Sequence, residues 1–423
     1  MLTPLWTIAA ILSLQPAPEG VTPAGSPAQE VSPAKELSPA EVAARAGVEL
    51  CLRGLEQAAV KGDKGAWLAN ADQSDPEFAK EQAYFANDLT KKPPEALALA
   101  VDSLTVTDGR ARGKLSFSWN MPGKRERRVA FAAEFVERHG TWLYAGEVWE
   151  HHEAAGVIVL HDPGLGDLAT RTVEAFESVR EKVEAGFELA DSDLSKHTQK
   201  IKLYGSMKHL QQSICLSYQD GLEGWNEPGE SVKLLANRGS SVEDLRPLLA
   251  HEYGHVATFF LGPKANNIPW WVLEGVAELS REGTVGGGSP DGTVKGWAAN
   301  GLLAKWDDLA DFEKCPARLH PYVYVQGHHM LGYISDTFGR QKRNQWLRLM
   351  AQGKQIDEAT RDAMGRSFAK LDEEWQDTLP KPATPPPTQP EREAPKTLPE
   401  RVPGEVPVPV PGLDHPVPDE MPK

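Results

Sequence analysis

The stretch His251-Glu252-Tyr253-Gly254-His255 places two histidines four residues apart, with a glutamate directly after the first. On an α-helix, residues four apart lie on one face about one turn from each other, so both imidazoles can point at one metal ion. Glu252 is rotated from His251 by about 100° around the helix, which suits it to a water beside the ion rather than to the ion. The stretch therefore predicts a helix that carries two metal ligands and a general base.

A second acidic stretch, EGVAE at residues 274–278, begins nineteen residues after His255. A catalytic zinc keeps three protein ligands and one open position, so one further carboxylate completes the site. Glu274 is the predicted third ligand. Glu278 lies one turn further along the same helix face, and we expect it to accept an N–H from a ligand histidine and thereby fix the imidazole's orientation.

Capping signals indicate where these two helices begin and end. Asp244 is a predicted N-cap for the first helix, with Pro247 in its first turn, where a missing N–H is tolerated. Gly283 is a predicted end for the second helix. Gly254, inside the first helix, costs about 1 kcal/mol relative to alanine. A close approach by another backbone or by a substrate would explain a glycine there.

The two stretches together resemble a known family of enzymes. HEYGH at 251–255 and PWWVLEGVAE at 269–278 are similar to the HExxH and PxWxxEGxAE patterns of the gluzincin zinc metallopeptidases, within them the peptidase MA-like group. The resemblance implies a thermolysin-like, zincin-like catalytic domain with a twisted sheet beside the two metal helices. It also implies one zinc ion per chain, bound by both histidines and Glu274, with Glu252 as the general base.

The resemblance covers residues 155–340 and includes a downstream helix pattern, YVQ at 324–326 and YISDTFG at 333–339. Thermolysin itself has an aspartate where this chain has Glu278. Tyr324 fits the family pattern, which implies a hydroxyl near zinc that stabilises negative charge developing on a peptide carbonyl oxygen. Four neighbouring side chains are alternatives for such a role: His320, Tyr322, His328 and His329.

Composition sets wider limits. The chain has 423 residues, enough for two or three domains. Its net charge of −15 argues against nucleic acid as a partner, because phosphates require a basic surface. The cysteines, Cys51, Cys215 and Cys315, lie far apart, which indicates neither a second zinc site nor a disulfide framework, although one pair could be bridged.

Residues 1–40 are predicted to be a signal-like leader followed by a Pro-rich linker. The apolar run within residues 1–14 suits a signal peptide and is too short to span a bilayer, but no Lys or Arg precedes it. The pattern favours export to the periplasm, cell envelope or extracellular space, with a chance apolar run in a disordered leader as the alternative. No later segment is predicted to cross a membrane.

The remaining chain divides into three predicted regions of an α+β protein. Residues 41–150 read as a small accessory domain, in which helical patterns precede an antiparallel meander compatible with a nuclear-transport-factor-like cone. Residues 155–376 form the zinc-metallopeptidase-like domain, with Ser231–Leu235 as a candidate edge strand for an extended peptide. Residues 377–423 are a Pro-rich tail, predicted to be disordered and to serve as a spacer or weak partner site.

These features predict a zinc metallopeptidase, by default an endopeptidase, that acts on a peptide or protein substrate. One alternative is a non-catalytic zinc-containing scaffold that binds partners through the N-terminal domain and the Pro-rich tail. Glu252 argues against that alternative, because a structural zinc needs no base and is normally closed by a fourth protein ligand. A further alternative is a latent peptidase whose N-terminal domain covers the cleft.

Overall fold

The structure, a computed structural model, describes residues 38–190, 192–218, 222–236, 239–282 and 289–382. Within these ranges the chain forms a mixed α+β fold, which confirms the class expected from the sequence. The predicted leader and most of the predicted Pro-rich tail lie outside the described residues. Helices and strands group around two large hydrophobic cores, one in an N-terminal unit and one in a larger second unit. A smaller cluster forms around Tyr204, Leu210, Ile214 and Leu222.

Three helices and a four-stranded sheet build the N-terminal unit. Its elements are α1 (Pro39–Lys61), α2 (Lys64–Ala69), α3 (Pro76–Lys91), β1 (Ala96–Thr107), β2 (Arg110–Asn120), β3 (Arg127–Arg138) and β4 (Thr141–Glu147). The strands pair in chain order as an antiparallel meander, as the alternating pattern predicted. Ser38 caps α1 through a capping box with Glu41, so this helix starts inside the stretch predicted as linker.

Two tight turns fix the register of this meander. Asp108-Gly109 and His139-Gly140 each have positive φ at both positions, 48° and 70° in the first and 52° and 79° in the second. Two-residue turns of this kind match the twist of the strands they join. These turns hold neighbouring strands in register, and the sheet's inner face packs against α1.

The second unit contains a five-stranded sheet and ten helices among the described residues. Its elements are β5 (Glu150–Ala154), β6 (Val157–His161), α4 (Gly166–Phe187), α5 (Asp193–Lys196), β7 (Gln199–Tyr204), α6 (Met207–Ser213), β8 (Gly224–Trp225), β9 (Val232–Leu235), α7 (Val242–Phe259), α8 (Trp270–Ser280), α9 (Asp291–Ala299), α10 (His320–Phe338), α11 (Arg340–Ala351), α12 (Ile356–Met364) and α13 (Phe368–Asp377). The strand order is β5-β6-β7-β9-β8, in which β6, β7 and β9 run parallel.

The prediction that Ser231–Leu235 forms the free sheet edge is wrong. Strand β9 pairs with β7 on one side and with β8 on the other, so its backbone groups are already used. The chain between β7 and β9 folds back and adds the two-residue strand Gly224-Trp225 as the outermost member. The edge beside the metal helices is therefore β8.

The predicted helix ends need correction at two places. Ser241, not Asp244, is the N-cap of α7, because its hydroxyl accepts from the Asp244 N–H while the Asp244 carboxylate accepts from the Ser241 N–H. This reciprocal pair starts the helix a turn earlier and places Pro247 inside it. Helix α8 ends at Ser280, before Gly283, which lies outside the described residues.

Small residues let three helices pack closely around the acidic stretch. A Cβ added at Gly254 would lie 2.7 Å from Ser280 Oγ and 3.2 Å from Ala277 Cα, so α7 and α8 approach almost backbone to backbone. A Cβ on Gly275 would lie 2.6 Å from the Gly327 carbonyl carbon, which brings α10 equally near to α8. The close approach expected at Gly254 is confirmed, and the approaching backbone is that of α8.

Among the described residues, no helix is long and apolar enough to span a membrane. Cys51, Cys215 and Cys315 are all free thiols, so no disulfide joins them. Burial raises the pKa of the Cys51 thiol to about 12, and it raises the pKa values of Cys215 and Cys315 as well. These thiols are therefore protonated at neutral pH and poor metal ligands.

Candidate metal centre

Helices α7 and α8 bring three donor atoms to one point. His251 Nε2 and His255 Nε2 are 3.2 Å apart, and Glu274 Oε2 lies 3.3 Å from the first and 3.5 Å from the second. All three residues are at least partly buried, with His251 8% and Glu274 9% exposed. Within the described ranges, this is the group of histidine, cysteine and acidic residues that could hold a metal ion.

The spacing and surroundings of these donors fit a metal ion. The corners of a tetrahedron with bonds of about 2.0–2.1 Å are about 3.3–3.4 Å apart, and the three donor distances fall around this value. Glu274 Oε2 is buried, and no hydrogen bond of normal geometry reaches it from the described part of the chain. Two imidazoles and one carboxylate suit zinc and also other divalent transition metals, so the donor set does not select zinc alone.

The ligand side chains are themselves held in place. Glu278 Oε1 lies 3.0 Å from His251 Nδ1, the ring nitrogen that faces away from the cluster. Arg281 Nη1 in turn donates to the same Glu278 oxygen at 2.9 Å. Trp270 Nε1 donates to Glu274 Oε1 at 2.9 Å, which leaves the other carboxylate oxygen to face the histidines. Such outer contacts fix the tautomer and direction of the ligand groups.

Glu252 faces the same cleft from the neighbouring position on α7. Its side chain is buried, and Oε2 accepts a hydrogen bond from Asn226 Nδ2 at 2.8 Å. The same Asn226 nitrogen donates to the Glu252 main-chain oxygen at 3.0 Å. On the other side, a Cβ added at Gly224 would lie 2.8 Å from Glu252 Cδ, so β8 packs directly against this carboxylate.

Tyr324, on α10, lies beside the metal ligands. Its ring centroid is 6.3 Å from that of His251 at an interplanar angle of 26°, and it lines the cleft. The four alternatives considered with it do not line that cleft. His320 lies 3.3 Å from the Cys315 carbonyl oxygen, Tyr322 stacks on Trp297, His328 pairs with Glu282, and His329 accepts from Trp375.

The charges of the centre shift its pKa values in opposite directions. Burial alone would lower the pKa of His251, but contacts with Glu274 and Glu278 raise it to about 10. Burial would raise the pKa of Glu274, but His255 and His251 hold it well below its usual range. Burial raises the pKa of Glu252 against the opposing effect of the histidines. Burial also raises the pKa of Tyr324 well above its usual value, so its hydroxyl stays protonated.

A cavity of 540 Å³ opens over these groups. Every residue that lines it lies between Leu222 and Tyr324, in the second unit. One wall is polar, with Glu252, Asn226 and the metal ligands, and apolar side chains form the rest. The apolar lining includes Leu248, Phe259, Ile268, Leu273, Ala310 and Phe312. No described residue of the N-terminal unit lines the cavity, so the structure does not favour a cleft covered by that unit.

No known protein family matches this chain, and no curated protein matches it. Several solved structures match part of it, among them the following two. A chain named Rd1NTF2_05 with five substitutions is 19% identical over 23% of this chain and 90% of that chain, with a TM-score of 0.19. TsrD from Streptomyces laurentii is 20% identical over 24% and 84%, also with a TM-score of 0.19. Likeness of this size supports no conclusion about fold or function.

Sequence reasoning missed two residues of the centre. Trp270 was recognised only as part of the family pattern, although its indole N–H orients Glu274. Asn226 was not identified at all, although it holds Glu252 from 26 residues away in the chain. The one signal in the sequence is a pair of glycines, Gly221 and Gly224, shortly before Asn226. Such glycines indicate a close backbone approach without showing what is approached.

Proposed function

We propose that this protein is a zinc-dependent peptidase with a zincin-like catalytic unit, acting as an endopeptidase. The observation that carries the proposal is the convergence of His251 Nε2, His255 Nε2 and Glu274 Oε2 at tetrahedral spacing, with the Glu252 carboxylate facing the same cavity. These three side chains would hold the ion. A zinc ion there supplies Lewis-acid activation of water and of the substrate carbonyl.

The chain's own side chains supply the rest of the chemistry. Glu252 accepts a proton from the attacking water and later delivers it to the leaving amine. Its buried position and raised pKa suit a group that must hold a proton between these two steps. Tyr324, protonated and adjacent, donates a hydrogen bond to the oxygen on which negative charge develops.

A purely structural zinc is the weaker explanation. Structural zinc sites are normally closed by four protein ligands, and the group found among the described residues has three. A glutamate beside such a site is not needed to hold the ion, and it costs free energy to bury. Both facts favour the catalytic proposal over the scaffold alternative.

Substitution of Glu252 tests the proposal most directly. Full-length protein purified without chelators is expected to contain about one zinc per chain by elemental analysis and to cleave a peptide library in a chelator-sensitive manner. Glu252→Gln should retain the zinc and lose about 10²- to 10⁴-fold in turnover, because only the proton acceptor is removed. A folded wild-type protein without metal, or full turnover in Glu252→Gln, would contradict the proposal.

Tyr324→Phe tests the assignment of the hydrogen-bond donor. Removing a donor that acts on the transition state should lower kcat by about 100-fold and leave KM within twofold. Tyr322→Phe is the matched control, because Tyr322 stacks on Trp297 outside the cavity. Equal kcat values in the wild type and Tyr324→Phe would remove Tyr324 from the catalytic set.

A further inference from the structure

One stretch of chain lies between the catalytic glutamate and the N-terminal unit. It comprises residues 214–218 and 222–231 and is called here the bridging segment. It leaves the second unit after α6 and returns to it as β9. One side of it lines the metal cavity, and the other side contacts the N-terminal unit.

The cavity side of the bridging segment restrains Glu252 in two ways. Asn226 Nδ2 donates to both the carboxylate and the main-chain oxygen of Glu252, at 2.8 and 3.0 Å. Gly224 leaves no space beyond the carboxylate, since a Cβ there would collide with Glu252 Cδ at 2.8 Å. A glutamate has three rotatable bonds, and these contacts together select one orientation of its carboxylate.

The other side of the bridging segment is anchored in the N-terminal unit. Leu216, only 1% exposed, belongs to the hydrophobic core of that unit rather than to its own. Trp119 Nε1 donates to the Leu216 carbonyl oxygen at 3.1 Å. The Tyr218 hydroxyl donates to the Arg125 carbonyl oxygen at 2.7 Å, and the Arg127 guanidinium lies 4.3 Å above the Tyr218 ring.

Two further contacts hold the segment near Asn226 itself. The Tyr84 hydroxyl, on α3, donates to the Pro228 carbonyl oxygen at 3.1 Å. The Ser231 hydroxyl donates to Glu81 Oε1, also on α3, at 2.7 Å. The N-terminal unit therefore fixes the chain two residues and five residues after Asn226.

The backbone conformation in this part of the bridging segment indicates that the surrounding contacts hold it in place. Cys215 and Leu216 have φ values of 40° and 59°, in the left-handed region that residues with a Cβ rarely adopt. Two consecutive residues of this kind persist only where surrounding contacts determine them. Here those contacts are the burial of Leu216 and its hydrogen bond from Trp119.

We propose that Asn226 is a positioning residue for Glu252, and that the N-terminal unit holds Asn226 in place through the bridging segment. This inference rests on the proposed function, in which Glu252 is the general base. The N-terminal unit then contributes to catalysis without touching the cavity. Leu216 of the second unit fills a position in the hydrophobic core of the N-terminal unit. The N-terminal unit therefore anchors the bridging segment rather than acting as an independent binding module.

Asn226 variants of the full-length, zinc-loaded protein test whether Asn226 positions Glu252. Asn226→Ala removes the amide, and Asn226→Asp keeps its shape but replaces the donor by a second carboxylate. Both should lower kcat by about 10- to 100-fold, because a charge-assisted hydrogen bond is lost, with KM and zinc content unchanged. A kcat within twofold of wild type, or a change confined to KM, would overturn the positioning role.

A pair of core variants tests whether the N-terminal unit anchors the bridging segment, with hydrogen exchange as a readout besides activity. Leu216→Ala and Leu52→Ala each remove a buried leucine from the same N-terminal core, but only Leu216 belongs to the bridging segment. Both should lower Tm. Only Leu216→Ala should increase hydrogen–deuterium exchange in peptides covering residues 222–236 and lower kcat. Equal exchange there in both variants would overturn the anchoring role.

Peptide cleavage tests the proposed function, and hydrogen–deuterium exchange tests this inference independently of it. If the wild-type protein cleaves no peptide, the proposed function fails, and hydrogen exchange still decides whether the N-terminal unit holds the segment. The Asn226–Glu252 contact is then tested by thermal melts of Asn226→Ala, Glu252→Gln and the double variant. Additive Tm shifts would show that the two side chains are not coupled.

Discussion

The metal centre and the junction between the two units are both built from buried charges, but they are assembled over different distances in the chain. All three candidate metal ligands lie within residues 251–274, on two consecutive α-helices. At the junction, Glu81 meets Lys202 and Ser231, which are 121 and 150 residues away. The metal-binding group is thus local in sequence, whereas the association of the two units depends on distant residues. A change at the junction should therefore leave metal binding largely unaffected, although the bridging segment still links the junction to Glu252.

The largest effect on stability is expected at Glu81. Lys202 Nζ donates to both carboxylate oxygens at 2.8 and 2.6 Å. Burial would raise the pKa of Glu81, but Lys202 and Lys233 lower it to about 2, so it is fully charged at neutral pH. Glu81→Ala leaves the buried Lys202 without its partner and should lower the free energy of unfolding by about 3–5 kcal/mol, measured by urea denaturation.

The control for this variant is an exposed ion pair in the same unit. Glu49 lies 4.0 Å from Arg53 with about half of each side chain exposed, so Glu49→Ala should change the unfolding free energy by less than about 1 kcal/mol. Zinc affinity should be unchanged in both variants. A loss of zinc from folded Glu81→Ala protein would show that the centre is not self-contained.

A smaller, pH-dependent effect is expected at His209, also at the junction. The imidazole is sandwiched between Phe131 and Trp149, and its two nitrogens face Asp162 and Glu147 at 3.0 and 3.4 Å. Burial would lower the pKa of His209, but the two carboxylates raise it to about 9. This stabilisation, about 3 kcal/mol, is complete below the unfolded pKa near 6.5 and lost as pH rises through 9.

Unfolding measurements between pH 6 and pH 10 check this expectation. His209→Gln has no proton to lose in this range, so the stability difference between wild type and variant isolates the histidine. That difference should shrink as the pH passes from about 6.5 to above 9. A difference that is constant with pH would mean that His209 titrates normally in the folded protein.

The sequence predicted the candidate metal ligands better than the residues that hold the site in place, and the reason is geometric. Positions four apart on a helix meet whatever the rest of the fold does, so the pairing of His251 with His255 follows from spacing. Glu274 is indicated by the EGVAE stretch and the family pattern, and it reaches the histidines only because α8 packs against α7. The meander of the N-terminal unit was also predictable, because alternation and turn residues are local signals. Asn226 had no such signal, since its contact with Glu252 depends on how β8 joins the sheet.

The errors have the same origin. Ser231–Leu235 has the composition of a strand, but whether a strand lies at the edge depends on which other segments pair with it. Leu216 reads as an ordinary apolar residue of the second unit, and only the tertiary structure shows that it fills the N-terminal core. Asp244 was predicted as a cap because aspartate suits that position, whereas Ser241 supplies the cap and Asp244 completes the box.

The smallest effect is expected at Glu278, where a substitution should change zinc affinity and not stability, the reverse of the expectation for Glu81. Its carboxylate lies 3.0 Å from His251 Nδ1 and takes no part in the donor cluster. Glu278→Gln should weaken zinc binding by about 10- to 100-fold, because the ligand imidazole loses a charged partner that fixes its direction, as measured by competition with a chelating dye. Glu282→Gln, in the next turn and paired with His328, is the control and should bind zinc like wild type. Since Glu278 contacts His251 and Arg281 rather than residues of the junction, its variant should unfold close to the wild-type midpoint when both are saturated with zinc. If the Glu81 variant loses stability but keeps zinc affinity, and the Glu278 variant does the reverse, assembly of the two units is separate from metal binding. A loss of both stability and zinc affinity in either variant would show that the two regions are coupled.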